Sequence, residues 1–219
     1  TCEQCVLHKE RKQTVFHRGP IDAPMMIIGE APGEDEDEQG APFVGKAGQH
    51  LSDLLRAAGV PEGQIYMCNV LKCRPPKNKF PEGGEEPETC RGYLLKQISL
   101  IKPHVMVLCG KQPIRYVLLH GTTERVAPVN PWINKFYRRK DLFDDALLTC
   151  VYHPSYLMRR HDEVDEEAWV STVAAAWSYA NHKATGTAPA PILFRDLSAP
   201  PILPKRSRNL FSRGRGDIL

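Results

Sequence analysis

Four short, mostly apolar runs punctuate this chain, at residues 25–28, 65–70, 105–108 and 147–152. Each is too short for a helix and dense enough in apolar side chains to be a strand covered on both faces. Between them the apolar period changes. Residues 47–58 place Leu51, Leu54, Leu55 and Ala58 at helical spacing ahead of Gly59, a natural stop. Residues 87–101 put Tyr93, Leu94, Leu95 and Ile98 on a buried side, and 112–119 tolerate Pro113 in a first turn. Residues 165–182 line up Trp169, Val173, Ala176, Trp177 and Ala180, with Asp165, Glu166 and Glu167 suited to the N-terminal turn. Strands alternating with helices predict a three-layer α/β/α fold around a central, mostly parallel four-stranded sheet.

Two stretches escape this pattern. Residues 121–145 carry Trp132, Phe136, Tyr137 and the basic trio Arg138, Arg139 and Lys140 without a clear period. From Lys183 onward Pro, Ala and Thr dominate, followed by Lys205, Arg206, Arg208, Arg213 and Arg215. The expected organisation is therefore a domain over 1–182 and a Pro-rich, basic C-terminal arm over 183–219. The five consecutive acids Glu34 to Glu38 read as a solvated loop or a short exposed helical turn.

In a parallel sheet the loops that follow the strands share one edge, where open α/β folds bind ligands. Three polar clusters leave strands there: Gly29–Gly33, Asn69–Arg74 and His153–Ser155. Glycines in the first cluster let backbone approach a ligand closely.

Composition narrows the reading. The 219 residues are 42% apolar, enough for a real core, and the net charge is only +3, so charged patches have to be sought locally. The sequence shows no secretory leader and no apolar run near the roughly 18 residues of a membrane helix, so no membrane partner is expected. Seven cysteines cannot all pair. Cys68, Cys109 and Cys150 lie on or beside strands and read as buried free thiols of an intracellular, reducing compartment. Cys2 and Cys5 have metal-ligand spacing, Cys73 adjoins a stiff basic loop, and Cys90 lies near the start of a helix. Four thiolates around one centre suit zinc or an iron–sulfur cluster, and spacing does not choose between them. Either would staple the N-terminus to the 73–90 loop.

Several motifs in one order resemble a known family. They are Gly29-Glu-Ala-Pro-Gly33, Glu36-Asp37, Gly40-x-Pro-Phe-Val-Gly45-Lys-Ala-Gly48, Asn69-Val-Leu-Lys-Cys73-Arg-Pro-Pro76, Cys90 and His153-Pro-Ser155. Together they resemble the iron–sulfur (family 4) uracil-DNA glycosylases over about residues 2–180. The resemblance implies a structural [4Fe-4S] cluster on Cys2, Cys5, Cys73 and Cys90, with zinc as the alternative occupant. It implies catalytic roles for Glu30, Glu36 and His153, and a substrate pocket of Gly29, Ala31, Gly33, Phe43, Asn69 and Ser155. It implies DNA contacts from Tyr156, Leu157 and Arg159, in a loop that enters the minor groove, and by charge Arg74 and Lys77 suit contacts to phosphate.

The implied activity is hydrolysis of the N-glycosidic bond of uracil in DNA, in a cytoplasmic or nucleoid-associated protein of base excision repair. The residue chemistry suits it. A flipped base needs a snug pocket. One asparagine amide both donates to and accepts from uracil, and Phe43 offers a π-face. A histidine donor stabilises charge developing on the leaving base, while a carboxylate can favour the sugar cation or orient water. Segment 121–145 and the arm depart from the family pattern. They motivate the rival expectation, a glycosylase-like DNA-binding or replication-accessory protein with little or no catalytic activity, meeting a replication or repair protein through either element. A redox or zinc protein unrelated to DNA is a further alternative.

Overall fold

The computed structural model describes residues 2–120, 122, 124 and 126–198. Strands β1 (Met25–Gly29), β2 (Ile65–Asn69), β3 (Val105–Cys109) and β5 (Leu147–Val151) form a parallel block in which every residue is buried. Alternate side chains go to opposite faces, as strand geometry dictates. Met25, Ile27, Ile65, Met67, Val105 and Val107 pack with Leu51, Leu55, Trp169 and Val173 of helices α2 (Lys46–Ala57) and α7 (Glu163–Ala184). Met26, Ile28, Tyr66, Cys68, Met106 and Leu108 face the other way, onto Leu94 and Ile98 of α3 (Glu86–Ile101). There they also meet Ile114 and Val117, in a π-helical stretch over Ile114–Leu118 that continues α4 (Lys111–Pro113).

The layering agrees with expectation, but the sheet does not. Among the described residues it has six strands in the order β2-β1-β3-β5-β4-β6, and it is mixed rather than four-stranded. Strand β4 (Lys135–Arg138) runs antiparallel to β5, and β6 (Phe194–Asp196) pairs parallel with β4. Both lack the apolar density by which the central strands are recognised. Only Tyr137 is buried in β4, and all of β6 is exposed. Edge strands facing solvent carry no strong hydrophobic signature, and charge on them discourages unwanted pairing.

The two unpatterned stretches consequently pack on each other. The Arg138 guanidinium lies 4.3 Å from the Phe194 ring centre, Arg195 pairs with Glu124 at 2.8 Å, and Lys140 N–H donates to Ser198 Oγ. The beginning of the predicted arm thus belongs to the sheet, and its basic residues 205–215 lie outside the described residues. The basic trio also divides. Arg139 is buried, donating to the carbonyls of Leu118 and His120 and pairing with Asp141, so it braces the fold and does not face a partner.

The acidic run takes the helical option, as α1 (Glu34–Gln39), while α5 (Lys140–Phe143) and α6 (Pro154–Arg160) occupy stretches where no helix was expected. Among the described residues no helix is long and apolar enough to cross a membrane.

Candidate active site

Strands β1, β2, β3 and β5 are in register, so their carboxyl ends open onto one edge. The loops leaving β1, β2 and β5 enclose a cavity of about 510 Å3 there. Glu30, Ala31, Gly33, Glu36, Phe43, Asn69, His153, Ser155 and Arg159 all line it. The three sequence-distant clusters therefore converge.

Gly29 is not itself a lining residue but sits where two of them, Asn69 and Phe43, meet. A Cβ there would lie 2.4 Å from Asn69 Oδ1 and 2.6 Å from Phe43 Cζ. The missing side chain lets the amide and the ring flank the same point. Asn69 ends β2 paired with Gly29, and its side chain is buried. Phe43 adopts φ 58°, a left-handed conformation that costs a bulky residue of order 1–3 kcal/mol and persists only when its surroundings enforce it. Those surroundings are visible. A Cβ on Gly48 would fall 2.0 Å from the Phe43 carbonyl oxygen, so the first turn of α2 accepts this backbone only as glycine.

The second enforcing contact comes from Glu36. Its Oε2 accepts from Gly33 N–H at 2.9 Å, and its Oε1 accepts from Val44 and Gly45 N–H at 2.9 and 2.8 Å. Both oxygens are engaged by backbone, which ties the two glycine-rich turns together around Phe43. Glu36 thus has the contacts of a positioning residue, not those of the acid or base assigned to it from resemblance. The acidic run is correspondingly not all solvated. Asp37 is buried and receives the N–H groups of Lys12 and Gln13.

Glu30 is placed differently. Burial raises its carboxyl pKa, the nearby Glu82 raises it further, and Lys111 opposes the effect. Glu82 is itself clamped by Lys111 at 2.8 and 2.9 Å and by Gln112 at 3.0 Å. The fold has accordingly raised the proton affinity of this cavity carboxyl.

His153 caps the N-terminus of α6. Ser155 N–H donates to its Nδ1 at 3.2 Å, and Ser155 Oγ lies 2.8 Å from the same atom. A backbone N–H can only donate, so Nδ1 is the accepting nitrogen and the neutral ring carries its proton on Nε2. Desolvation, with the positive charge of Arg159 as the smaller cause, pushes the imidazole pKa down to about 4. The wall therefore holds a neutral imidazole with one N–H to donate.

The expected DNA-contacting residues separate. Arg159 is exposed on the cavity rim and Lys77 is exposed on its loop. Arg74 is partly spent on Asn78 Oδ1 at 2.8 Å and Glu34 at 3.3 Å. Tyr156 stacks on Tyr152 with ring centres 4.7 Å apart. Leu157 is fully buried among the α2 and α7 side chains, so it is a core residue and cannot enter a groove. Its segment became α6, whose period turns Leu157 inward while Arg159 stays out.

Sequence reasoning missed Asn78 and Lys72. Asn78 lines the cavity from the 73–90 loop, and only its place in a basic loop hinted at a role. Lys72 is buried, donates from Nζ to the Asn69 carbonyl at 2.6 Å, and has its pKa lowered by burial. A lysine between Leu71 and Cys73 had no distinguishing sequence signal.

The four cysteines of the expected metal centre do not line this cavity. Cys73 and Cys90 are buried, and Cys2 and Cys5 partly so. Burial raises the Cys73 and Cys90 thiols, each raised further by other members of the set. Three sulfurs already receive donors: Arg11 at 2.7 Å on Cys73, the Lys72 N–H at 3.4 Å on Cys90 and the Tyr93 hydroxyl at 3.4 Å on Cys2. This donor set suits thiolate ligands. Among the described residues no three His, Cys, Asp or Glu side chains are grouped to hold a single metal ion.

Fold and cavity together define an α/β protein with a pocket for a planar, hydrogen-bonding ring, between an aromatic face, an amide and a neutral imidazole. Comparison with known families agrees: residues 16–177 match the uracil DNA glycosylase superfamily. A type-4 uracil-DNA glycosylase of Pyrobaculum aerophilum is 38% identical over 161 residues, 73% of this chain and 80% of that protein. Those of Thermotoga maritima and Archaeoglobus fulgidus are 38% and 36% identical, covering 72% and 73% of this chain and 78% and 79% of theirs. The chain belongs to the type-4 uracil-DNA glycosylases.

Proposed function

We propose that this protein is a monofunctional DNA glycosylase that hydrolyses the N-glycosidic bond of uracil in DNA, leaving an abasic site for base excision repair. The observation that carries the reading is the meeting of Phe43 and Asn69 at Gly29, in one cavity with His153. An extruded uracil would stack on Phe43, and the Asn69 amide would donate to one carbonyl and accept from the ring N–H. As the bond breaks, negative charge moves onto the base. Neutral His153 then donates its Nε2–H without first losing a proton, and stabilises that charge where it develops. Glu30, with its raised proton affinity, is the carboxyl suited to orient or deprotonate water. Glu36 holds the pocket in shape. Lys72, buried against a carbonyl, is no Schiff-base nucleophile.

The same reading assigns a structural [4Fe-4S] cluster to Cys2, Cys5, Cys73 and Cys90, with zinc as the other occupant. Bound there, the group would tether the N-terminal segment to the 73–90 loop. Its support is the thiol set and the donors already aimed at three of its sulfurs. Iron and sulfide analysis of freshly purified protein distinguishes the two occupants. Buried, unpaired Cys68, Cys109 and Cys150 support a reducing, intracellular setting.

The test is a duplex with one U·G mismatch, incubated with the protein and then cleaved at abasic sites with alkali. Cleavage at the uracil position is expected, with none on the T·A control. An intact strand at every protein concentration would remove the enzymatic reading in favour of a binding protein.

A further inference from the structure

The N-terminal segment is bonded to α1, the helix that carries Glu36, at a buried acid. Asp37 is the one member of the acidic run that is buried, at 2% exposure. Its Oδ1 accepts from Lys12 N–H at 3.1 Å and Gln13 N–H at 3.4 Å, and its Oδ2 accepts from Lys12 N–H at 3.0 Å. The contact is returned from the other side. Gln13 Nε2 donates to the carbonyls of Asp37 and Glu38 at 3.2 and 2.8 Å, in the last turn of α1. Gly40, at φ 75°, admits this approach, since a Cβ there would fall 2.6 Å from Gln13 Oε1.

The segment so held is itself anchored to the cysteine end. Arg11 donates to Cys73 Sγ and to the Cys2 carbonyl, and Val15 N–H donates to the Lys72 carbonyl at 2.8 Å. On the pocket side, the residue next to Asp37 is Glu36, whose carboxylate fixes Gly33, Val44 and Gly45 around Phe43. Helix α1 is only 6 residues long and would have little stability alone. It is held between two clamps one residue apart, and neither clamp touches the cavity's reacting groups.

We propose that Asp37 is a positioning residue for base excision: it anchors α1 to the 11–13 segment, so that the four-cysteine end of the molecule holds Phe43 in its stacking pose. The inference rests on the reading of the cavity as a uracil pocket. Its physical content is that Phe43 occupies a costly backbone conformation, and that such a conformation relaxes when one of its supports is withdrawn. Misplacing the stacking ring weakens alignment of the extruded base more than it weakens contact with the rest of the DNA.

The test is Asp37→Asn, a nearly isosteric change whose amide retains one acceptor but sets N–H against N–H at the other. Single-turnover excision is measured with saturating protein on a uracil-containing duplex, beside KM, iron content and the melting temperature. The variant is expected to lose about tenfold in single-turnover rate with KM within about twofold of wild type. A double-mutant cycle with Phe43→Leu separates positioning from general loosening. If Asp37 acts through Phe43, Asp37→Asn lowers the rate of Phe43→Leu by less than about twofold; a general structural loss would lower it by the full tenfold again. Gln13→Ala probes the same strap if Asp37→Asn does not fold, and is expected to lower the rate about threefold, again not in the Phe43→Leu background. An active wild type with an unchanged rate in Asp37→Asn, or in Gln13→Ala where only that variant folds, overturns the inference alone, and so do fully additive effects. A wild-type protein that leaves uracil DNA intact overturns the pocket reading and this inference with it.

Discussion

The two walls of the cavity are built on opposite principles. The wall made by α1, Phe43 and the glycine turns is held by backbone: three N–H groups on Glu36, and a helix start that accepts Phe43 only because residue 48 is glycine. The wall made by Glu30 and His153 is electrostatically displaced. Burial raises the Glu30 carboxyl and lowers the His153 imidazole to about 4. One wall spends its acid on geometry and the other keeps its carboxyl and its neutral imidazole for chemistry. Two glutamates lining one cavity thus have different jobs, and type and position in sequence do not say which is which.

Substitutions can break this contrast. His153→Ala should have the largest effect on rate, a loss of about 10²–10³-fold in single-turnover excision, because it removes a donor aimed at developing charge. Binding to uracil-containing DNA should change little, as a gel-shift titration would report. Since the ring is already neutral, wild-type activity should show no histidine step near pH 6.5. The sign for stability follows from the lowered pKa. Keeping the ring neutral favours the fold fully above pH 6.5, and that contribution is lost as pH falls through the window down to about 4.

Glu36→Ala should sharpen the contrast from the other side. It strips an acceptor from three backbone donors and should cost about 2–3 kcal/mol of stability in denaturant unfolding, with a rate loss that follows from a disordered Phe43. A Glu36→Ala protein as stable as wild type would mean that the brace is not one.

The smallest effect is expected for Glu30→Gln, and in stability it should be favourable. The folded-state pKa of Glu30 is raised, so its native environment favours the protonated form. That preference contributes below the usual value of 4.5 and is lost as pH rises through the folded pKa. At neutral pH the charge is therefore a burden, and Glu30→Gln should melt at a higher temperature than wild type, with the gain disappearing under acid. Excision should fall and lose the acid limb of its pH profile. A melting temperature lowered at pH 7 would return Glu30 to the structural wall.

Legibility followed the same division. Strands β1, β2, β3 and β5, and the helices α2, α3 and α7 beside them, were readable because the strands are dense in apolar residues and the helices repeat near 3.6. Strand β4 was not, because Lys135 and Arg138 bracket it and only Tyr137 is buried. Helix α6 was hidden by its opening His153-Pro154, which resembles a turn, and that concealed Leu157 as core. Cavity membership was largely legible through the motifs at strand ends, whereas the roles of Glu36, Asp37 and Lys72 were not.

Sequence alone determined the alternating α/β layers, the shared carboxyl edge and most of the residues gathered there. Each of these depends on local period and chain order, and short-range sterics write both into the chain. Tertiary structure alone decided which acid is spent on backbone, which is desolvated, which nitrogen of His153 carries the proton and which strands close the sheet. Those outcomes depend on distances between residues far apart along the chain, and on how much water the assembled walls exclude.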